Sequence, residues 1–578
     1  MEDKRSIIAL VVIGAILLLT PTYMKLINPP GEPATTDSLM VAAPGPQEQD
    51  IPASGPEAFI PPMPSAPERL ESEVIAVADT SAAFDGISID TPLFTATIGL
   101  EGAALRGWTL KGYEREGSPP VDMIPDDAMG AVMELPIEDR QFLASSLEFS
   151  TDAPDTTTVP AGEELTITLT ARVDDTRSVT RTLTFNGSAY HFNITDTFYG
   201  FETSPVNDTY RLMWLGGLAF SEATPQEHEA IRQEYETTRN QQELTRNENA
   251  FNKKLREDWT YSGYFAFQGG DAERTKLKAR DPVTAQSFGT VDWVALRVKY
   301  FAAIIMPVGE PFRGAQMTGR AGVVGPALMS VATDRRLPAG EGSEISTDLY
   351  LGPIDYRILQ GYDRNLDKIM DFGFSIIKPI SRLVLTLFTW LHTFIPNYGI
   401  VIIIFSILVK IVVFPLTRKS YQSMHAMQEL SPKMAEIREK YKDDQEKMNK
   451  KIMSLYKENK VNPLGGCFPL LLQMPIFWGL FIVFRTTIEL RGEPFMLWIT
   501  DLSLNDPYMV LPGLMAISML IQQRAQLKDP KQRPMALMMP AILFFVFRSF
   551  PAGLILYWTL FNILSLLQTE FMSGKKEP

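Results

Sequence analysis

The sequence predicts a polytopic α-helical membrane protein with a large extracytoplasmic antiparallel β-sandwich domain and a cytoplasmic helical hairpin. Three observations predict it. One apolar stretch of spanning length lies at the amino terminus and five more follow residue 397. Between them, residues 81–370 read as strands and turns, with apolar and polar residues alternating at period two. The charge is also divided: the 54 Lys+Arg and 68 Asp+Glu fall as 23 against 14 from Phe372 onward and 31 against 54 before it. An acidic front and a basic back argue against nucleic-acid binding by the front, and place the basic loops in the cytoplasm.

Composition excludes further classes. A single cysteine, Cys467, permits no intramolecular disulfide, and with four histidines it leaves little material for a zinc site. The chain shows no metal-ligand spacing, nucleotide loop or nucleophile motif, so neither a metal nor a cofactor is expected.

Residues 1–28 begin with Lys4 and Arg5 and continue as SIIALVVIGAILLLTPTYMKLI. This fits a signal peptide or an anchor; the length of the apolar run and the lack of a small-x-small cleavage site favour an uncleaved first span with its amino terminus in the cytoplasm. Residues 29–80 hold eleven prolines between Pro29 and Pro67 and read as a tether.

In the β region, LTITLTARV from Leu165 alternates strictly, and RTLTFNGSAYHFNITDTF from Arg181 sets two strand-like runs around Asn186 and Gly187, a hairpin signal. TATIGLEGAALRGWTLKGY from Thr95 and WVALRVKYFAAIIMP from Trp293 add strands, while Pro225 to Glu257 is a polar, charged excursion. Residues 371–396 place Ser375, Lys378, Arg382, Thr386 and Thr389 at spacings of three and four, which predicts an amphipathic helix lying in the interface.

Residues 397–578 then carry spans at about Asn397–Leu416, Gly466–Thr487, Pro507–Gln526, Met535–Phe550 and Ala552–Met572. Trp498 and Phe495 suit an interfacial belt on the outer side. The connection 417–465 shows apolar stripes at Met434, Ile437 and Tyr441, and at Met448, Ile452 and Leu455, on either side of a turn at Asp443 and Asp444. It reads as a charged hairpin, either self-packed and solvated or docking a partner.

The chemistry centres on Lys410, a cation near the middle of YGIVIIIFSILVKIVVFPLTR, with Ser406 one turn earlier. Lys410 either snorkels toward the interface or faces a wet cavity. Gln473, the pair Ser518 and Gln522, and the series Thr559, Asn562 and Ser565 supply polar stripes on the other spans. Singly they fit interhelical hydrogen bonding; together with a cation they make a polar cavity the better reading. Ser406 and Lys410 also have the spacing of a Ser/Lys dyad, but no oxyanion motif accompanies them. A channel or secondary transporter is the other alternative, although no internal repeat relates the spans.

VNPLGGCFPLLLQMPIFWGLF (Val461 to Phe481) resembles very closely a signature of the bacterial YidC membrane protein insertases. FPLTRKSYQSMHAMQEL after Lys410, PFMLWITDLSLNDP and FPAGLILYW extend the resemblance through the carboxyl-terminal region, and the anchor, tether and β domain resemble the Gram-negative form. The resemblance implies an inner-membrane protein that is not an enzyme. Its five-helix core would form a groove closed toward the periplasm, which receives the hydrophilic end of a nascent membrane protein while the apolar segment passes into the lipid bilayer. It implies the Sec translocon as a partner, and the ribosome or signal-recognition-particle pathway through the hairpin. Two departures stand out: Lys410 occupies a position usually held by arginine, and Tyr557 and Trp558 stand where two tyrosines are common.

Overall fold

The computed structural model describes residues 85–113, 120–126, 128–137, 140–201, 208–219, 260–277, 282–320, 328–338, 340–459, 461, 468–526 and 533–574. The expected anchor, tether and excursion at 225–257 lie outside them. Phe84–Ala435 and Met453–Pro578 form one compact body, and Glu436–Ile452 belongs to a separate unit.

Alternation builds the strands. In Glu164–Arg172 the buried positions are Ile167, Leu169 and Ala171, while Thr166, Thr168 and Thr170 face outward. The strands form an eight-stranded and an eleven-stranded sheet. In the smaller sheet, Glu164–Arg172 pairs with Ser178–Asn186, which pairs with His191–Tyr199, which in turn pairs with Ser343–Pro353. Among the described residues the pairings are antiparallel with one exception: Gly86–Asp90 runs parallel to Thr156–Thr158 at the rim of the larger sheet. That departs from a purely antiparallel sandwich, and a crossover through the intervening strands makes it possible.

The expected hairpin at Asn186 and Gly187 forms, with a different turn. The strands are joined by residues 187–190, and Gly187 is not in the left-handed region. A Cβ at Gly187 would lie 1.9 Å from the Pro160 carbonyl oxygen, so close approach of another loop requires the glycine there.

The inner faces of the two sheets meet through aromatic rings, with Trp108 stacked on Phe192 at 5.5 Å and Phe198 edge-on to Tyr210 at 5.5 Å. A buried ionic clasp joins them too. Arg181 pairs with Asp196 at 2.7 Å, and its Nη1 donates to the carbonyls of Ala103 (3.1 Å) and Ala131 (2.5 Å) on the other sheet. Tyr210 completes it by donating to Asp196 at 2.6 Å. Both alanines hold positive φ, 46° and 58°, a conformation that turns their carbonyls toward the guanidinium.

Beyond the sheets come α1 (Tyr356–Gln360), α2 (Lys378–His392) and α3 (Tyr398–Glu429). Helix α2 buries Val384, Leu385 and Phe388, and exposes Lys378, Arg382, Leu383, Thr386 and Trp390. Thr389, expected on the polar stripe, is instead buried, because Phe388 beside it packs on Phe405 at 5.0 Å and draws that face inward.

Helix α3 runs 32 residues without interruption, through Pro415, so the first part of the expected hairpin continues the apolar helix. Proline removes one backbone hydrogen bond but leaves the helix intact. It is followed by α4 (Ser431–Lys440) and α5 (Gln445–Glu458). Where these leave the body, Leu430, Met434 and Val461 form a small core, and Tyr456 donates to Met434 Sδ at 3.3 Å. Leu455 packs against this core; Tyr456, absent from the expected stripes, does too. Within Glu436–Ile452, residues Ile437, Tyr441, Met448 and Ile452 are half-buried, and Asp444 caps α5 by accepting from Lys447 N at 3.0 Å.

The remaining helices are α6 (Phe468–Thr486), α7 (Val510–Gln526), α8 (Arg533–Phe547) and α9 (Ala552–Gly574). Among the described residues, 398–418 and 552–569 are long and apolar enough to cross a membrane; 472–486 and 538–547 are shorter apolar helices. The segment between α6 and α7 is tied to the start of α9 by Ala552 N→Leu504 O (2.6 Å) and Gly553 N→Leu502 O (3.0 Å). Trp498 and Phe495, expected to form a belt, are half-buried in protein. Trp498 donates to Asp506 at 3.1 Å, and Met496 and Leu497 beside it are exposed.

Candidate functional site

Lys410 sits on the inward face of α3, where α9 packs against it, and is 8% exposed. Its ammonium donates to Ser565 Oγ of α9 at 2.7 Å and lies 4.5 Å from the centre of the Phe561 ring. Ser565 in turn donates to the Phe561 carbonyl at 2.7 Å, which leaves its oxygen free to accept from the lysine. These contacts hold the cation within the helix bundle, which disfavours snorkelling toward the end of α3.

One turn back on α9, Asn562 donates to Ser518 Oγ of α7 at 3.5 Å, and Ser518 donates to the Met515 carbonyl at 2.8 Å. A polar seam thus runs from α3 across α9 to α7. Thr559 and Ser406, both buried, donate to their own helix carbonyls, Ile555 O at 2.8 Å and Ile402 O at 2.7 Å. A serine proton committed to a backbone carbonyl does not describe a nucleophile poised on a lysine base. Gln522, one turn from Ser518, is half-buried.

Gln473 of α6 and Tyr557 of α9 form a second polar patch. Both are buried and the amide approaches the phenol, but Gln473 Nε2 and Tyr557 Oη make no hydrogen bond of normal geometry among the described residues. Trp558 turns the other way, edge-on to Phe477 at 4.8 Å and tilted against Phe547 at 5.5 Å. It belongs to an aromatic joint between α6, α8 and α9, apart from the Lys410 seam.

Two residues were missed by sequence reasoning. Phe561 was not singled out because an aromatic residue on an apolar helix carries no polar signal. Gln568 is 7% exposed and both of its amide atoms lack hydrogen-bond partners among the described residues. The series Thr559, Asn562, Ser565 extends to it by the same step of three, so its signal was present.

The seam can hold a positive charge inside an apolar bundle and present amide and hydroxyl groups to a polar chain. Among the described residues no cluster of His, Cys, Asp and Glu is suited to a metal.

Comparison with known proteins bears on the whole chain. Residues 390–577 match the family model of the 60Kd inner membrane protein, and residues 86–384 match that of the YidC periplasmic domain. The membrane protein insertase YidC of Syntrophus aciditrophicus is 30% identical, across 99% of this chain and 99% of its own length. That of Chlorobaculum tepidum is 32% identical, across 99% of this chain and 95% of its own. A crystal structure of an active YidC insertase aligns with 85% of this chain and 93% of its own at 16% identity and a TM-score of 0.38, too loose an overlap to add to the sequence relationship.

Proposed function

The chain belongs to the YidC family of membrane protein insertases, and from that premise we propose how its helices receive a substrate. It is an inner-membrane insertase acting on nascent membrane proteins, with a β-rich periplasmic domain and no bond chemistry of its own. In our reading the hydrophilic end of the substrate enters a groove between α3, α7 and α9 and meets Lys410. Gln473, Ser518, Gln522, Tyr557, Asn562 and Ser565 offer it hydrogen bonds in place of water, Ser406 adds a polar wall, and Trp558 with its aromatic joint borders the path of the apolar segment.

The observation that carries this reading is the Lys410 to Ser565 contact across α3 and α9. Ser565 and Phe561 are neutral, so they solvate the ammonium without cancelling it, and its attraction for an acidic segment is strong where the dielectric constant is low. Each carboxylate moved across the membrane potential contributes about 2.3 kcal/mol per 100 mV, and transfer of the apolar segment into lipid supplies the remainder.

The topology we assign has six spans with both termini in the cytoplasm, an interfacial α2, and a cytoplasmic hairpin at 417–465 whose first arm is the end of α3. The basic residues of 417–465, 527–534 and 573–578 support it. The hairpin, through Met434, Ile437, Tyr441, Met448, Ile452 and Leu455, is the element that meets the ribosome or signal-recognition-particle pathway, and the Sec translocon is a further partner. Purified protein in liposomes should insert a single-span substrate with an acidic tail without nucleotide. Solute flux with no insertion would refute the groove.

A further inference from the structure

The β domain meets the helical body at the segment that follows α6. There Arg491 Nη1 donates to the Tyr113 carbonyl at 2.6 Å and its guanidinium lies over the rings of Tyr300 and Phe301 at 5.7 and 5.6 Å. Two residues earlier Glu489, in the turn Ile488–Leu490, reaches the start of α1: its Oε1 accepts from Tyr356 N at 3.5 Å. Part of the residue is exposed, but Oε2 is buried with no hydrogen-bond partner among the described residues. The residue before Tyr356 is another carboxylate, Asp355, which caps α1 by accepting from Arg357 N and Ile358 N and so stands next to the group that Glu489 reaches. Like charges brought together at a joint oppose its closure.

We propose that Glu489 and Asp355 form a proton-operated latch between the β domain and the helical body, closed when Glu489 carries a proton and loosened when both carboxylates are charged. Burial and Asp355 push the Glu489 carboxyl up to about 7 from 4.5. For a carboxyl raised in the docked state, the docking contribution is complete below about 4.5 and is lost as pH climbs through about 7. The latch therefore tightens when the periplasm acidifies.

The other titratable groups at the joint include Arg357 and Tyr356 on α1, Tyr113, Tyr190 and Tyr350 in the β domain, Tyr398 at the start of α3, His392 at the end of α2, and Arg491 and Glu493 beside Glu489. The Tyr113 and Tyr190 phenols are raised by burial and stay neutral throughout. His392 is lowered by burial and by Arg357, so it titrates on the acid side. Glu493 is raised by burial and Asp501, which makes Glu493→Gln the control.

The test is hydrogen exchange of the full chain in lipid nanodiscs, corrected for intrinsic rates, read at 355–361 and 488–491 between pH 6 and 8.5. The parent should open about tenfold more at pH 8.5 than at pH 6, as expected for a pKa raised from 4.5 to 7. Glu489→Gln should be flat at the protected level and Glu493→Gln should behave as the parent. Asp355→Asn keeps the cap and should move the midpoint to lower pH. A flat parent profile, a step surviving in Glu489→Gln, or an unmoved midpoint in Asp355→Asn would overturn the latch; the Asp355→Asn arm decides if Glu489→Gln does not fold.

Discussion

Lys410 on α3 and Ser565 on α9 are 155 residues apart in sequence and 2.7 Å apart in space, which sets a hydroxyl directly against a buried ammonium. Replacing Lys410 with alanine removes the charge and should slow insertion of a substrate with an acidic tail by about tenfold or more, since hydrogen bonds to charged groups are worth about 1.5–3 kcal/mol. A substrate with a neutral tail should lose less. Lys410→Arg keeps the charge and should insert both. Protease protection of the substrate in proteoliposomes measures this, and equal rates for Lys410→Ala and the parent would defeat the electrostatic role.

Ser565→Ala tests the same pair from the other side. It takes one acceptor away from the buried ammonium, at a cost of about 1–3 kcal/mol. Thermal unfolding in detergent should fall by several degrees, and the double variant Lys410→Met with Ser565→Ala should recover much of that loss because no charge is left to solvate. If the double variant melts no higher than Ser565→Ala, the two residues are not coupled.

In the β domain, Arg181→Ala should destabilise by about 3–5 kcal/mol, because Asp196 is then left buried without its cation. Ala131→Gly should act in the opposite direction, gaining up to about 1 kcal/mol by relieving the left-handed backbone at φ 58°. Denaturant unfolding of the full chain followed by tryptophan fluorescence reads both changes.

Gly553 permits the start of α9 to lie against α6. A Cβ there would sit 2.4 Å from the Phe484 ring, and Phe484 is fully buried. Gly553→Ala should therefore cost about 1–3 kcal/mol, and the strap between Gly553 N and Leu502 O should exchange hydrogen faster. Unchanged protection at Gly553 would show that the ring moves freely.

Met434→Ala should loosen α4 and α5 while leaving the helical body intact. The side chain is 9% exposed, and Tyr456 donates to its sulfur. Loss of such a buried methionine costs about 2–5 kcal/mol. Trypsin should cut between Lys440 and Lys447 several times faster, with little change in the melting of the body.

How much of this was legible in the sequence varied with the source of the signal. Strands such as Glu164–Arg172 were readable because period-two alternation is local, and Lys410 stood out because charge is rare in an apolar run. The inward turn of Thr389 was not readable, since it depends on Phe388 meeting Phe405 from another helix. The same holds for the Gly187 turn, chosen by a carbonyl from Pro160, and for Phe561, whose role depends on a lysine from α3. Trp498 reads as interfacial by composition, and the partner of its indole proton, Asp506 eight residues away, is one that no periodicity announces. The length of α3 was hidden by Pro415, which usually marks a boundary in sequence and here does not.

That unbroken α3 has a mechanical consequence. Pro415 makes it a lever with a fulcrum: about 8 Å of helix separates the proline from Lys410, and about 21 Å separates it from Glu429, at about 1.5 Å per residue. A lever transmits motion only while its bar stays straight, and α3 is helical on both sides of the proline. Swinging the long arm at Glu429 by about 6 Å would then displace the ammonium by about 2 Å at this rise per residue, a gearing of nearly three to one. Such a displacement exceeds the tolerance of a hydrogen bond and would part Lys410 from Ser565. Spin labels on either side of Pro415 would read the angle between the two arms, and a helix that bends at the proline while the long arm is pulled would rule the lever out.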